Sequence, residues 1–214
     1  MTAQAGSASS PSGRDTAVER SAIRHALRRQ LRFQRASLSR SVQQQSARDI
    51  AQQLQRHRLL KSGQRVAVYL GVSGEADLHP LIDRARRLGC RLYLPRVMNL
   101  RRGTMEFLRF TGRRTQRRSS LGLLEPKPAA ARIAPRDLDL VLVPLVAFDT
   151  EGHRLGTGGG FYDRRFAFLA HKVRWRRPRL IGVGYELQCL PVVPTESWDV
   201  VMDAVVTERR VYRR

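Results

Sequence analysis

LDLVLVPLVAFDTEGHRLGTGGGFYDR, residues 138–164, opens on a run of branched apolar side chains and turns abruptly to glycine and charge. Residues 138–143 have the composition of a strand buried on both faces, the mark of the interior of a parallel sheet. Gly156, Gly158, Gly159 and Gly160 then remove four Cβ atoms from five consecutive positions. Backbone of that kind reaches positive φ freely and turns several N–H groups toward one anion. A short helix expected over 161–171 adds its positive N-terminal end. Arg154 ahead of the glycines and Asp163 behind them supply a phosphate clamp and a hard oxygen ligand for Mg²⁺. The loop is neither a Walker A motif, since no Gly-Lys-Ser/Thr occurs in it, nor the dinucleotide GxGxxG of a first βαβ unit. A glycine-rich bend between strand and helix is often only structural. The flanking Arg, aromatic pair and Asp favour a nucleotide-phosphate site over that plainer reading.

Outward from this stretch the organisation is α, α, then β/α. From Glu19 to about Ala36, Ile23, Leu27 and Leu31 recur at helical spacing in a segment edged by Arg. Ser39 opens a second helix, with Val42, Ile50 and Leu54 on its apolar side, that ends near His57 before a turn closing at Gly63. Strands are expected at 65–70, 91–94, 105–110 and 179–184, with a final one near 203–207. A helix is expected over 78–88, with Asp77 as its N-cap. Strands alternating with helices give an α/β fold: a three-layer αβα domain with a mostly parallel sheet and an N-terminal helical pair. It spans residues 19–214, and residues 1–18 read as a disordered tail. Ligands of such sheets gather beyond the carboxyl ends of the strands. Two loops stand there, Gly71-Val-Ser-Gly-Glu75-Ala-Asp77 and the glycine loop.

At 214 residues the chain can hide roughly 70% of its unfolded surface, so it needs no disulfide or metal staple. Cys90 and Cys189 are too far apart in sequence to make a framework or a CxxC site, and read as buried structural thiols of a cytoplasmic protein. The most apolar run, residues 140–148, is too short to span a bilayer, so no membrane role is expected. The formal charge of +22 is almost all arginine, since only Lys61, Lys127 and Lys172 are lysines. Clusters at Arg113-Arg114, Arg117-Arg118 and Arg174-Trp175-Arg176-Arg177 would attract any polyanion, and charge alone does not choose among polyanions. A solvated arginine surface is the plainer reading. Without a recognised motif or aromatics interleaved with these clusters, no specific nucleic-acid partner is expected. The histidines show no metal spacing. Two other classes stay open on the residues alone: a basic nucleic-acid-binding protein on an α/β scaffold, and a different phosphate-handling enzyme of similar fold.

RLGTGGGFYDR at 154–164 resembles the signature of the 5-formyltetrahydrofolate cyclo-ligase family, also called methenyltetrahydrofolate synthetases. Arg24-His-Ala-Leu-Arg28 resembles the family's amino-terminal Lys/Arg-x-x-x-Arg, with Arg where Lys is usual. VAVYLGVSGEADLHPLI, Glu125-Pro126, LVLVPLVAFD, Trp198-Asp199 and Val205-Val206-Thr207 follow in family order, so the likeness covers about residues 20–210. It implies ATP- and Mg²⁺-dependent cyclisation of 5-formyltetrahydrofolate to 5,10-methenyltetrahydrofolate, with release of ADP and phosphate through a phosphorylated formyl intermediate. It also implies site residues. Arg24, Arg28, Arg154, Leu155, Gly156, Thr157, Gly158, Gly159, Gly160, Phe161 and Tyr162 would bind ATP. Leu70 and Glu75 would bind the folate, with Glu75 accepting the N10 proton, and Asp163 and Asp199 would hold Mg²⁺. Phe161 replaces a Tyr often found there, so that position offers no hydroxyl.

Overall fold

The structure is a computed structural model, and it describes residues 13–112, 116–118, 124–169 and 177–214. The Arg113-Arg114 and Arg174–Arg176 clusters, the side chains of Arg117 and Arg118, and residues 1–12 lie outside the described residues. The elements that follow in the chain are those of the described residues.

Two helices come first, α1 at Gly13–Ala36 and α2 at Arg40–Arg56. Helix α1 starts six residues before Glu19, where the sequence reading ends its tail; extending a formed helix costs little beside nucleating one. Ser39 caps α2, its hydroxyl accepting the Val42 N–H at 3.3 Å. Next come β1 (Arg65–Ala67), α3 (His79–Arg87), β2 (Arg91–Asn99) and β3 (Thr104–Arg109). Strand β1 stops short of the expected Leu70, although the Val68 N–H still reaches the Tyr93 carbonyl at 2.9 Å. Leu78, not the expected Asp77, holds the N-cap position of α3; Asp77 stands one residue earlier, where its carboxylate accepts the His79 N–H at 3.0 Å.

Strands β4 (Gln116–Arg118) and β5 (Leu124–Pro126) form a separate hairpin, and β6 (Arg132–Ile133) returns to β3. The apolar run becomes β7 (Leu140–Pro144), followed by the small antiparallel pair β8 (Ala147–Phe148) and β9 (Arg154–Leu155). The helix expected over 161–171 is α4 at Phe161–Phe166, continued by a 3₁₀ turn to Leu169. Strands β10 (Arg179–Val183), β11 (Ala204–Val206) and β12 (Val211–Arg213) finish the chain. Strand β11, read as the last, is thus followed by an antiparallel edge strand.

The main sheet runs β12-β11-β10-β7-β1-β2-β3-β6. The interior pairings β11/β10, β10/β7, β7/β1 and β1/β2 are parallel, and both edges are antiparallel. Alternation on β7 shows how the layers form. Leu140 and Leu142 join the core under α2 and α3, whereas Val141 and Val143 join the opposite core with Phe166 of α4. The same two-residue period holds on β10, where Ile181 and Val183 face one core and Leu180 the other. Each of these side chains is at most 1% exposed, and burying one contributes about 1.5–3 kcal/mol. Cys90 is buried, as expected; Cys189, which ends the 3₁₀ turn at Glu186–Gln188 outside the main sheet, is only half-buried.

From β1 the chain moves to β2 on one side, and from β7 to β10 on the other. The strand order therefore reverses between β1 and β7, which opens a crevice beyond their carboxyl ends. The loops that follow these two strands are the two singled out from sequence.

Candidate active site

Asp149 fixes the hairpin that leads into the glycine loop. It is 2% exposed, and its carboxylate accepts the N–H groups of Glu151 at 3.1 Å, His153 at 3.0 Å and Val193 at 3.1 Å. Leu155 is fully buried with Leu31, Val146, Ala147 and Val193, so its side chain anchors the loop and does not line it. Beyond it Gly158 takes φ +109° and Gly160, the residue capping α4, takes φ +60°. Side chains rarely adopt these conformations, which accounts for glycine at both positions.

Three arginines hold the loop by its carbonyl groups. Arg28 Nε donates to Gly156 O at 2.9 Å, Arg32 Nη2 to Thr157 O at 2.7 Å, and Arg164 Nη2 to Gly159 O. None of the N–H groups of Thr157 to Gly160 donates a hydrogen bond among the described residues. The loop thus keeps its donors for something else, beside a cluster of cations. Burial pulls the Arg28 guanidinium below its ordinary value, and the positive charges of Arg24 and Arg32 add to the effect, opposed by Asp199. That crowding would be relieved by a bound polyanion.

Of the residues assigned to ATP, all but Leu155 and Gly159 line one cleft, and Asp163 and Asp199 line it with them. Gly159 acts indirectly: a Cβ there would strike the ring of Phe161. Each acid is engaged by an arginine. Arg154 Nη2 meets Asp163 Oδ1 at 2.7 Å, with side chains 4% and 12% exposed, and the Val200 N–H reaches the same oxygen at 3.2 Å. Arg24 Nη1 meets Asp199 Oδ2 at 2.7 Å and also donates to Pro194 O at 2.8 Å. Arg154, expected as a phosphate clamp, thus stands in the cleft wall paired with Asp163, a pairing that depends on tertiary folding.

Leu70 and Glu75 stand on the β1 side of the crevice. Leu70 is half-buried against the α2–α3 core. Glu75 Oε2 accepts the Val72 N–H at 3.3 Å. Burial pushes the Glu75 carboxyl above the usual range, and the Val72 N–H and the guanidinium groups of Arg35 and Arg32 pull it part of the way back. Burial likewise raises the Tyr162 hydroxyl, and the nearby Glu75 charge raises it further, so the two loops meet electrostatically.

Sequence reasoning missed Arg32, Arg164, Arg35 and Asp149. Arg32 lies four residues beyond Arg28, so a helical stripe continued by one turn would have found it. Arg35 is 2% exposed and donates to Ser73 O at 2.9 Å and Leu145 O at 3.3 Å, joining the two loops of the crevice.

Comparison with known proteins identifies the family. The family model described as the 5-formyltetrahydrofolate cyclo-ligase family matches residues 20–208. The 5-formyltetrahydrofolate cyclo-ligase of Escherichia coli (strain K12) is 33% identical over 183 residues, 85% of this chain and 98% of its own. That of Haemophilus influenzae is 32% identical over 180 residues, 83% of this chain and 93% of its own. The NMR structure of Aquifex aeolicus 5,10-methenyltetrahydrofolate synthetase superposes with a TM-score of 0.75 at 30% identity, covering 89% of this chain and 92% of that one. Sequence likeness along nearly the whole chain and a shared fold lead to one assignment: the chain belongs to the 5-formyltetrahydrofolate cyclo-ligase family.

Proposed function

We propose that this chain closes 5-formyltetrahydrofolate to 5,10-methenyltetrahydrofolate at the expense of ATP, in the crevice between β1 and β7. The observation that carries the reading is the convergence, in one cleft, of uncommitted loop N–H groups with Arg24, Arg28 and Arg154. A formamide oxygen is a poor leaving group. In the proposed reaction it attacks the γ-phosphorus, the bond to ADP breaks, and the formyl carbon becomes an imidate-like phosphate ester. N10 adds to that carbon, phosphate departs with the former formyl oxygen, and the N10 proton passes to a base.

The protein's contribution is positioning and charge neutralisation more than a nucleophile. The loop N–H groups and the α1 arginines would hold the phosphates. Glu75, with its carboxyl raised by burial, would take the N10 proton, and Leu70 would pack against the folate. Magnesium would be held by Asp163 and Asp199. The pair fits, because Mg²⁺ takes one or two carboxylates and completes its shell with phosphate oxygens and water. Asp163 also keeps Oδ2 clear of hydrogen bonds among the described residues. Bound there, Mg²⁺ would neutralise charge on the transferring phosphoryl group. The free thiols Cys90 and Cys189 fit a cytoplasmic site of action, and no helix among the described residues is long and apolar enough to cross a membrane.

The conjugated methenyl product absorbs where the substrate does not. Mixing protein, 5-formyltetrahydrofolate, Mg²⁺ and ATP should give a rise in that absorbance that vanishes when ATP is withheld. Folded protein that gives no ATP-dependent signal overturns the proposal.

A further inference from the structure

The phosphate cleft opens sideways into a groove of about 270 Å³ lined by Gly160, Asp163, Arg164, Ala167 and Trp198. All of these except Ala167 also line the cleft itself, so the two are continuous. Trp198 is 68% exposed. A tryptophan left this open is unusual, because the indole is among the largest apolar surfaces a chain can bury.

The backbone beneath Trp198 is well anchored. On one side the Asp199 N–H bonds Glu196 O at 3.0 Å, and the Asp199 carboxylate is gripped by Arg24. One residue further on, the Val200 N–H bonds Asp163 at 3.2 Å. Across the groove Arg164 is tied to the carbonyls of Gly159 and Gly103. A flat aromatic surface on fixed backbone therefore borders a cationic cleft. The complementary ligand is polyanionic at one end and flat and aromatic at the other, which describes a nucleoside triphosphate.

We propose that Trp198 is the stacking platform for the base of the nucleotide. This rests on the nucleotide reading of the cleft and adds the residue that distinguishes a nucleotide from bare polyphosphate. Stacking uses the π-face that every base has, so the platform should favour nucleotides over polyphosphate without selecting strongly between adenine and guanine.

The test compares ATP, GTP and inorganic tripolyphosphate by calorimetry, with Mg²⁺ present, on the unchanged protein, Trp198→Phe and Trp198→Ala. Trp198→Ala should weaken ATP and GTP by about 10- to 100-fold and leave tripolyphosphate unaltered, while Trp198→Phe stays within a few-fold of the parent. The chain has two tryptophans, Trp175 and Trp198. In a Trp175→Phe background, ATP should therefore change the remaining indole emission and tripolyphosphate should not. Unchanged ATP affinity in Trp198→Ala overturns the proposal. Equal weakening of ATP and tripolyphosphate overturns it too, because Trp198 would then act through Asp199 and Arg24. If the unchanged protein binds neither ligand, the nucleotide reading of the cleft fails and the platform with it.

Discussion

Arg35 sets two large opposing effects against each other. The residue is 2% exposed, its guanidinium has no carboxylate within ion-pair distance among the described residues, and Nε is without a hydrogen bond. In Arg35→Met the bonds to Ser73 O and Leu145 O are lost. Hydrogen bonds from a charged donor contribute about 1.5–3 kcal/mol each, and the 3.3 Å bond to Leu145 belongs at or below the low end. Neither carbonyl is orphaned, since Leu145 O still accepts Gln188 Nε2 at 2.9 Å and Ser73 lies on an exposed loop. Against this, a buried charge carries a desolvation penalty of several kcal/mol that Met avoids. The terms nearly cancel, so Arg35→Met should change stability by less than about 1 kcal/mol. Arg35→Ala adds a cavity and should cost about 2–4 kcal/mol. Activity should divide differently. Both variants release the tie between the Glu75 loop and the β7 loop and remove the positive charge that most lowers the Glu75 carboxyl, so turnover should fall at least about tenfold in each. Urea denaturation with the slope monitored, beside initial rates of methenyl formation, separates the two readouts. A loss above about 3 kcal/mol in Arg35→Met at unchanged slope would refute the balance argued here.

Glu75→Gln should abolish most turnover and remove the acidic limb of the pH–rate profile. Burial raises that carboxyl, so the limb should lie above the ordinary glutamate value of about 4.3, with the rate rising as pH climbs through it; a limb unchanged in the variant places the base elsewhere. Burial alone would raise Asp139, but hydrogen bonds from Arg65 outweigh it and hold the carboxyl low. Asp139→Asn should thus cost about 1–3 kcal/mol at pH 7, with the gap to the parent narrowing below pH about 4 as the parent's advantage is titrated away; a gap independent of pH in denaturation counts against it. Asp163→Asn and Asp199→Asn should each raise the Mg²⁺ concentration needed for half-maximal rate, and the double variant should lose much less than the product of the single losses; simple multiplication of the losses argues against one shared ion. Gly159→Val should displace Phe161 and weaken ATP binding with little change in melting temperature, and calorimetric affinity equal to the parent's would make the loop only a bend.

The parts of the fold legible from sequence are those whose pattern is local. The run 138–143 is apolar because β7 is covered on both faces, and Ser39 signals α2 because a side-chain oxygen meets an N–H three residues on. The edges carry no such signal. Strand β12 holds Val211, Tyr212 and Arg213, none fully buried, and β6 has two residues. Both exist because a neighbouring strand offers a ladder, so only the folded sheet reveals them. The glycine loop was legible as the place to look for an anion site because its glycines, arginine and acid are contiguous. The pairing of Arg154 with Asp163 was not, because no local pattern marks two residues nine apart across a glycine loop as partners.

The arginines of α1 show where the remaining information lies. In a chain with so many arginines, any one of them reads as solvated surface, and composition offers no contrast. Angular position does. At about 100° per residue, Arg24, Arg35, Arg28 and Arg32 fall at roughly 0°, 20°, 40° and 80°, a stripe one quarter of the helix wide, and Arg20 lies about 40° to its other side. Every member of this set has a partner distant in sequence: Glu196 for Arg20, Asp199 for Arg24, Gly156 for Arg28, Thr157 for Arg32, and Ser73 with Leu145 for Arg35. Arg29, at about 140°, is exposed. One helix face thus closes the crevice between β1 and β7, touching the loop after each strand and the Trp198 turn. The stripe is written in the helical period of the sequence, whereas its meaning depends on the strand-order reversal that puts those loops beneath it.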